Sequence, residues 1–316
     1  MKAIAIDMGG THAGIAIVED RVILATEQIA LNSEKGLEPA LPKISAAIRR
    51  LLQQLAIEAG ECAGLAMGFC GMVDGACTGV ISTNGKYEDA PDLNLSAWSK
   101  SEFGLPFVIE NDARLALLGE WYAGAARDYE DVVMITLGTG IGGAVLIGGK
   151  PFRSKQPQAG CLGGHISVRS GGPACSCGAY GCMEAEAAGW SLPAIVQNWP
   201  GASESRLSSL SSINFRAVFN FADEGDRVAK EVRDHCLRVW AAGTVGLIHA
   251  YGPECVVFGG GVLERAEIIV PFVRDYVKQH VWQPVGSTEI VSAALGNDAA
   301  LCGAVPLLLA GGATRA

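Results

Sequence analysis

The chain has 316 residues, more than one compact core usually holds, so two domains of ordinary size are expected. Hydrophobic residues make up 49% and charged residues 18%, with 41 glycines, which excludes a disordered or fibrous protein and suits a well-packed α/β one. A formal charge of -9 excludes non-specific attachment to nucleic acid or anionic lipid, both of which need dense Lys/Arg patches.

The opening residues, MKAIAIDMGG, enter a strand at once, and Asp7 interrupts the apolar run before it could serve as a signal peptide. Apolar stretches elsewhere fall short of a membrane span. A cytoplasmic location is therefore expected, and in that reducing compartment most of the 10 cysteines should be buried thiols. Residues 3–7 and 13–18 read as two strands joined by Met8-Gly-Gly-Thr-His12, where paired glycines let the backbone turn tightly. Leu41, Ile44, Ala47, Ile48, Leu51, Leu52, Leu55 and Ile57 recur at a helical period within 38–59. Strands follow at 63–70 and 105–110, a helix at 113–126, and a strand at 132–137 that runs into a glycine turn. The stretch 150–182 is dense in Gly, Pro and Cys and reads as an irregular insertion. Helices are predicted at 184–198, 225–250, 263–279 and 299–310, with a strand at 255–258.

Five motifs stand out in order: Asp7-Met-Gly-Gly-Thr11, Glu110-Asn-Asp-Ala113, Leu137-Gly-Thr-Gly-Ile-Gly-Gly143, Cys175-x-Cys177-Gly-x-x-Gly-Cys182-x-Glu184 and Gly259-Gly-Gly261. In these residues the chain resembles the ROK group of sugar kinases, within the actin-like ATPase superfamily, over nearly its whole length. The resemblance implies an α/β, two-lobed fold built on a duplicated ribonuclease-H-like core, with an interlobe active-site cleft. The expected division is 1–112 plus 299–316 for a smaller lobe and 113–298 for a larger one carrying the cysteine loop. It implies a homodimer that uses ATP and a small sugar.

Phosphoryl transfer asks the protein mainly to hold phosphates, metal and acceptor in line and to balance charge. Gly9-Gly10-Thr11 and Gly138-Thr139-Gly140 each offer backbone N–H donors and a hydroxyl that no bulky side chain blocks. The resemblance implies that they clamp the ATP phosphates. Asp7, a carboxylate beside phosphates, needs a cation and is assigned to Mg²⁺. Gly259, Gly260 and Gly261 resemble the adenosine-side turn. Asp112 follows a strand and opens a helix, which suits a general base for the sugar hydroxyl; the competing reading is that Asn-Asp only caps the helix. Asn111, Asn84, His165 and Glu184 complete the sugar set that the resemblance implies, with Asn84 also readable as a plain Asn-Gly turn.

His165, Cys175, Cys177 and Cys182 lie within 18 residues and suit tetrahedral Zn²⁺ in a structural role. Cys62, Cys70, Cys77, Cys161, Cys236, Cys255 and Cys302 are expected to be reduced thiols. One departure concerns the sugar pocket. The family has Gly-Glu-x-Gly-His before the cysteines, whereas this chain reads Gly160-Cys-Leu-Gly-Gly-His165, which puts Leu162 at the glutamate position. Glucose or a related hexose phosphorylated at the 6-hydroxyl is the expected substrate, with an N-acetylhexosamine or amino sugar as the alternative. A sugar-responsive repressor is disfavoured because strand one starts at residue 3, and a non-catalytic sugar-binding regulator because both aspartates are present.

Overall fold

The computed structural model describes residues 1–83, 85–282 and 287–312. The chain forms two compact units: residues 1–128, 151–161 and 294–316 make the first, and residues 129–150 and 162–293 the second.

In the first unit, strands β1 (Lys2–Met8), β2 (His12–Glu19) and β3 (Val22–Ala30) form an antiparallel meander. Helix α1 (Leu41–Leu55) follows, with Leu41, Ile44, Ala47, Ile48, Leu51 and Leu52 on its buried face. It stops at Ala56, which takes a left-handed conformation with φ 53°. Strand β4 (Cys62–Phe69) then pairs parallel with β1. The short hairpin β5 (Met72–Val73) and β6 (Val80–Ser82) precedes helix α2 (Leu95–Phe103), and strand β7 (Phe107–Asn111) pairs parallel with β4. The sheet order is β3-β2-β1-β4-β7. Helix α3 (Asp112–Ala123) leaves the end of β7, capped by Asn111, whose side chain accepts the N–H of Arg114.

The second unit repeats this pattern. Strands β8 (Val132–Leu137) and β9 (Ile141–Ile147) are antiparallel, and β10 (Lys150–Pro151) ends the sheet. Residues 152–182 contain no strand and only a single helical turn at Gly163–His165, as their composition predicts. Helices α4 (Met183–Ala187), α5 (Leu192–Gln197), α6 (Phe215–Asp223) and α7 (Arg227–Tyr251) follow. Strand β11 (Cys255–Gly259) pairs parallel with β8, helix α8 (Ala266–His280) crosses over, and β12 (Glu289–Ser292) pairs parallel with β11. The order β10-β9-β8-β11-β12 has the same antiparallel half and parallel half as the first sheet. Helices α9 (Ala299–Cys302) and α10 (Ala304–Gly312) return to the first unit.

Several expectations are corrected. The predicted helix 184–198 is two short helices, because Gly189 and Trp190 leave the helical path to donate N–H groups to Gly138 and Thr139 carbonyls. The tail is broken into α9 and α10 at Gly303, where a β-carbon would fall 2.1 Å from the Leu115 carbonyl oxygen. Strands β3 and β12 and helices α2 and α6 are not expected from the sequence pattern. The first unit also extends past residue 112, because α3 packs against β4, α9 and α10 of that unit.

Glu120 closes this unit from within. It is fully buried near the end of α3 and accepts the N–H groups of Ala125 (2.8 Å), Ala294 (3.0 Å) and Leu295 (2.8 Å). Glu120→Ala would leave three N–H groups without their partner, none of them fully buried and each able to turn to water in part, so a loss of roughly 1–3 kcal/mol is expected in denaturant unfolding. Glu120→Gln keeps an acceptor and should lose clearly less. Equal stability of the alanine variant and the wild type would refute this role.

Candidate active site

Asp7 sits on β1 between Gly14 of β2 and Gly68 of β4. A β-carbon on Gly68 would lie 3.2 Å from Asp7 Oδ1, so the glycine makes room for the carboxylate. Burial first, and the charge of Asp112 second, push Asp7 up to about 7. Asp112 is also raised above the ordinary carboxylate range, chiefly by burial, against the Ala113 N–H, Lys86 and Asn111, which favour its charged form. Two carboxylates in one enclosure are held ionised together only with a cation beside them, so this pair fits a divalent ion.

Asn111 does cap α3, as the competing reading held, and it also positions Asp112. Its Nδ2 donates to Gly71 O at 3.2 Å and to Asp112 Oδ1 at 3.0 Å. Asp112 Oδ1 also accepts the Ala113 N–H at 2.8 Å, so Oδ2 is the oxygen left for a substrate. The turn after Asp7 is closed by the Gly9 N–H, which donates to His12 O at 2.9 Å, and by Tyr87, whose hydroxyl donates to Gly9 O at 2.7 Å. One residue before Asn111 on β7, Glu110 is fully buried and meets Arg114 at 3.5 Å as well as Arg153. Arg114 donates to the carbonyls of Pro157 (3.0 Å), Ala159 and Phe152, which fixes residues 152–159 on α3. Sequence reasoning missed this arginine network, since it needs the folded position of 152–159. Asn84 lies outside the described residues.

In the second unit, Gly138-Thr139-Gly140 is a tight turn, with the Gly138 N–H donating to Gly140 O at 3.0 Å. Glu184, assigned to the sugar from sequence, braces this turn. Its Oε2 accepts the Ile141 N–H at 2.8 Å, and its Oε1 accepts the Trp190 indole N–H at 3.2 Å. A cavity of about 610 Å³ opens beside the turn, with Trp190, Phe215 and Phe219 as apolar walls and Asn214, Gly261 and Arg265 around them. Gly260, at φ 90°, passes so close to Leu137 that a β-carbon would meet its carbonyl oxygen at 2.3 Å. The glycines thus let the backbone form one wall, while the aromatic residues of α6 were not foreseen. The only signal in the sequence was Asn214 followed by apolar residues at 215, 218, 219 and 222.

The four expected metal ligands do converge. One donor atom from each of His165, Cys175, Cys177 and Cys182 lies within 4.8 Å of all the others. Cys177 Sγ is 3.6 Å from Cys182 Sγ, and Cys175 Sγ is 3.4 Å from His165 Nδ1. Ligands at about 2.3 Å for sulfur and 2.0 Å for nitrogen around a tetrahedral ion stand roughly 3.5–3.8 Å apart, so the set fits zinc. Loss of water and the neighbouring Cys177 and Cys175 thiols push Cys182 up to about 12, and a cation is what would keep it a thiolate. The other seven cysteines are free, and all but the partly buried Cys70 are buried. Leu162 is 38% exposed and does not enter the core; its carbonyl accepts the His165 N–H at 3.0 Å.

The ROK family profile matches residues 3–310. The chain is 30% identical over 316 residues to a glucokinase of Thermotoga maritima, covering 98% of this chain and 97% of that one. Among solved structures it is similar to a ROK family glucokinase from Streptomyces griseus in complex with glucose and AMPPNP. That match has 29% identity and a TM-score of 0.78, and covers 97% of this chain and 99% of the other. A ROK hexokinase from Thermus thermophilus gives 28% identity and a TM-score of 0.79, covering 97% of each chain. Among the described residues no helix is long and apolar enough to cross a membrane. With the two carboxylates, the glycine turns and the cysteine cluster in place, the chain belongs to the ROK family, as a sugar kinase of the actin-like ATPase fold.

Proposed function

We propose that the chain transfers the γ-phosphate of ATP to the 6-hydroxyl of glucose or a closely related hexose. The observation that carries this reading is Asp112, raised by burial, anchored through Oδ1 and facing Asp7 in the same enclosure. Asp112 Oδ2 takes the proton of the hydroxyl as its oxygen bonds to phosphorus, and the bond from phosphorus to the bridging oxygen of ADP breaks. Mg²⁺, when bound, supplies positive charge to the phosphates, and Asp7 is the residue that would hold it, directly or through water. The amides of Gly10 and Thr11, and those of Thr139 and Gly140, are the ones left to receive phosphate oxygens once Gly9 and Gly138 close their turns, while the cavity lined by Trp190, Phe215 and Phe219 takes the adenosine. His165 turns Nδ1 to the cysteines, leaving Nε2 for a sugar hydroxyl. His165, Cys175, Cys177 and Cys182 would hold a structural zinc.

Leu162 favours a second acceptor class. Its exposed isobutyl group offers contact to an acyl substituent where a glutamate would bond a hydroxyl, which suits an N-acetylhexosamine. A coupled assay of ATP consumption over glucose, N-acetylglucosamine, N-acetylmannosamine, glucosamine, allose and fructose separates the two, with the phosphorylated position read by NMR. Glucose-dependent turnover with a 6-phosphate product is expected. No acceleration over the sugar-free rate by any of the six would sink the reading. Leu162→Glu should shift the ratio of kcat/KM between glucose and the N-acetyl sugars by about tenfold to a hundredfold, the worth of one or two hydrogen bonds. Because position 162 is open to solvent, the melting temperature should hardly move. An unchanged ratio would place specificity elsewhere.

A further inference from the structure

Lys86 belongs to none of the glycine, carboxylate or cysteine motifs, yet its side chain lies along the first glycine turn. A β-carbon on Gly10 would stand 3.1 Å from Lys86 Cε, 3.4 Å from Cδ and 3.5 Å from Nζ. The ammonium is therefore carried across the backbone that is built to receive phosphate. The field of the same charge reaches the enclosure beyond, where it opposes the rise of the Asp112 carboxyl and of the Cys70 thiol.

The placement is held from the next residue onward. Tyr87 is fully buried, its hydroxyl donates to Gly9 O at 2.7 Å and its N–H donates to Ser33 O at 2.9 Å. Ser33 in turn donates its N–H to Gly10 O at 3.1 Å, so the Lys86 segment and the turn are tied together on both sides. Tyr87 accepts a φ of 54° to do so, a conformation that costs of order 1 kcal/mol for a residue with a side chain. Among the described residues, the ion pairs of this region place Arg114 and Arg153 on Glu110 and leave Lys86 out. An exposed ammonium whose field reaches Asp112, with no ion pair of its own among the described residues, is positioned for an anion that arrives later.

The geometry points to Lys86 as a catalytic residue of the kinase reaction, whose ammonium pairs with the γ-phosphate of ATP over the Gly9–Thr11 turn and stays with that group as it passes to the sugar. No proton leaves the lysine. The sugar oxygen forms the new bond to phosphorus, its proton goes to Asp112, the bond to the ADP oxygen breaks, and Lys86 balances the charge spread over the equatorial oxygens. With Asp7 and Asp112 both negative, the turn would otherwise present the incoming phosphates with carboxylates and a single divalent ion.

This assignment rests on the kinase reading of the same site, and its test is made without any sugar. Titration calorimetry of the full chain with Mg-AMPPNP and with Mg-ADP compares wild type, Lys86→Met and Lys86→Arg. Lys86→Met should weaken AMPPNP about tenfold or more while leaving ADP within about twofold, and Lys86→Arg should retain most of the AMPPNP affinity. Unchanged AMPPNP binding in Lys86→Met, or equal weakening of AMPPNP and ADP, would overturn the assignment. In turnover with the sugar that the acceptor panel identifies, Lys86→Met should lose about a hundredfold in kcat at nearly constant sugar KM. A raised sugar KM at wild-type kcat would move Lys86 to the acceptor and likewise overturn it. A failure of the titration counts against Lys86 alone, whereas the hexose reading stands or falls with the acceptor panel.

Discussion

Asp112→Asn is expected to lower kcat by about 10²–10⁴-fold while leaving nucleotide and sugar affinity nearly intact. The fold should tolerate the change, because a side-chain amide can still turn its oxygen to the Ala113 N–H and the Asn111 amide. What is lost is the basic Oδ2, the oxygen we propose as acceptor of the proton of the attacking hydroxyl. Since burial raises the Asp112 carboxyl, the acid limb of the wild-type rate profile should lie above the range of an exposed carboxylate. Activity falls as pH drops through that value, because only the ionised form accepts a proton, and the residual rate of the variant should lack this limb. Retention of more than about a tenth of wild-type kcat would show that another group takes the proton.

Asp112 is legible in the sequence because strand, Asn-Asp pair and helix occur in a fixed local order, and local order survives in a linear chain. The two glycine turns and the four metal ligands are legible for the same reason. The partners of Glu184 are not legible: its bonds to Ile141 and Trp190 depend on how α4 returns to the turn after β8. Strand β3 escapes sequence reasoning because it is a half-exposed edge strand in which Thr26, Glu27 and Gln28 dilute the apolar alternation. Strand β12 has four residues and the helix α6 nine, too few for a period to stand out from composition. The boundary expected at residue 112 fails for a different reason. Helix α3 follows the last strand of the first sheet in sequence, but only packing decides which sheet a helix covers. At Gly119, where a β-carbon would fall 1.8 Å from Ala299 O, α3 lies directly against a segment some 180 residues away in the chain.

Removing the metal should damage the second unit more than any single surface substitution. Zinc analysis of protein purified without chelator is expected to find about one ion per chain, and none should remain after Cys177→Ser or strong chelation. Cys177 is exposed, so serine there opens no cavity, and what the variant loses reports on the ion rather than on packing. The loop around it has no strand or helix of its own: residues 166–182 contribute two isolated β-bridges, Ser167 with Cys182 and Ala174 with Tyr180, a set of turn hydrogen bonds and the Arg169–Glu186 ion pair, with only a small apolar cluster of Cys175, Cys182 and Ala185 beneath. A structural zinc is worth up to about 10–16 kcal/mol in small domains, and even a third of that would lower the melting midpoint of the second unit by roughly 10 °C. The effect should reach the nucleotide as well as the sugar. Cys182 directly precedes α4, Glu184 on that helix holds the Ile141 N–H, and Gly189 and Trp190 beyond it bond the carbonyls of Gly138 and Thr139. Freeing Cys182 therefore loosens the turn that would receive phosphate, and AMPPNP affinity should fall along with sugar affinity. Metal-free protein with a wild-type melting midpoint and wild-type AMPPNP affinity would show that the four residues are a cluster of reduced side chains, and that α4 holds the glycine turn without help.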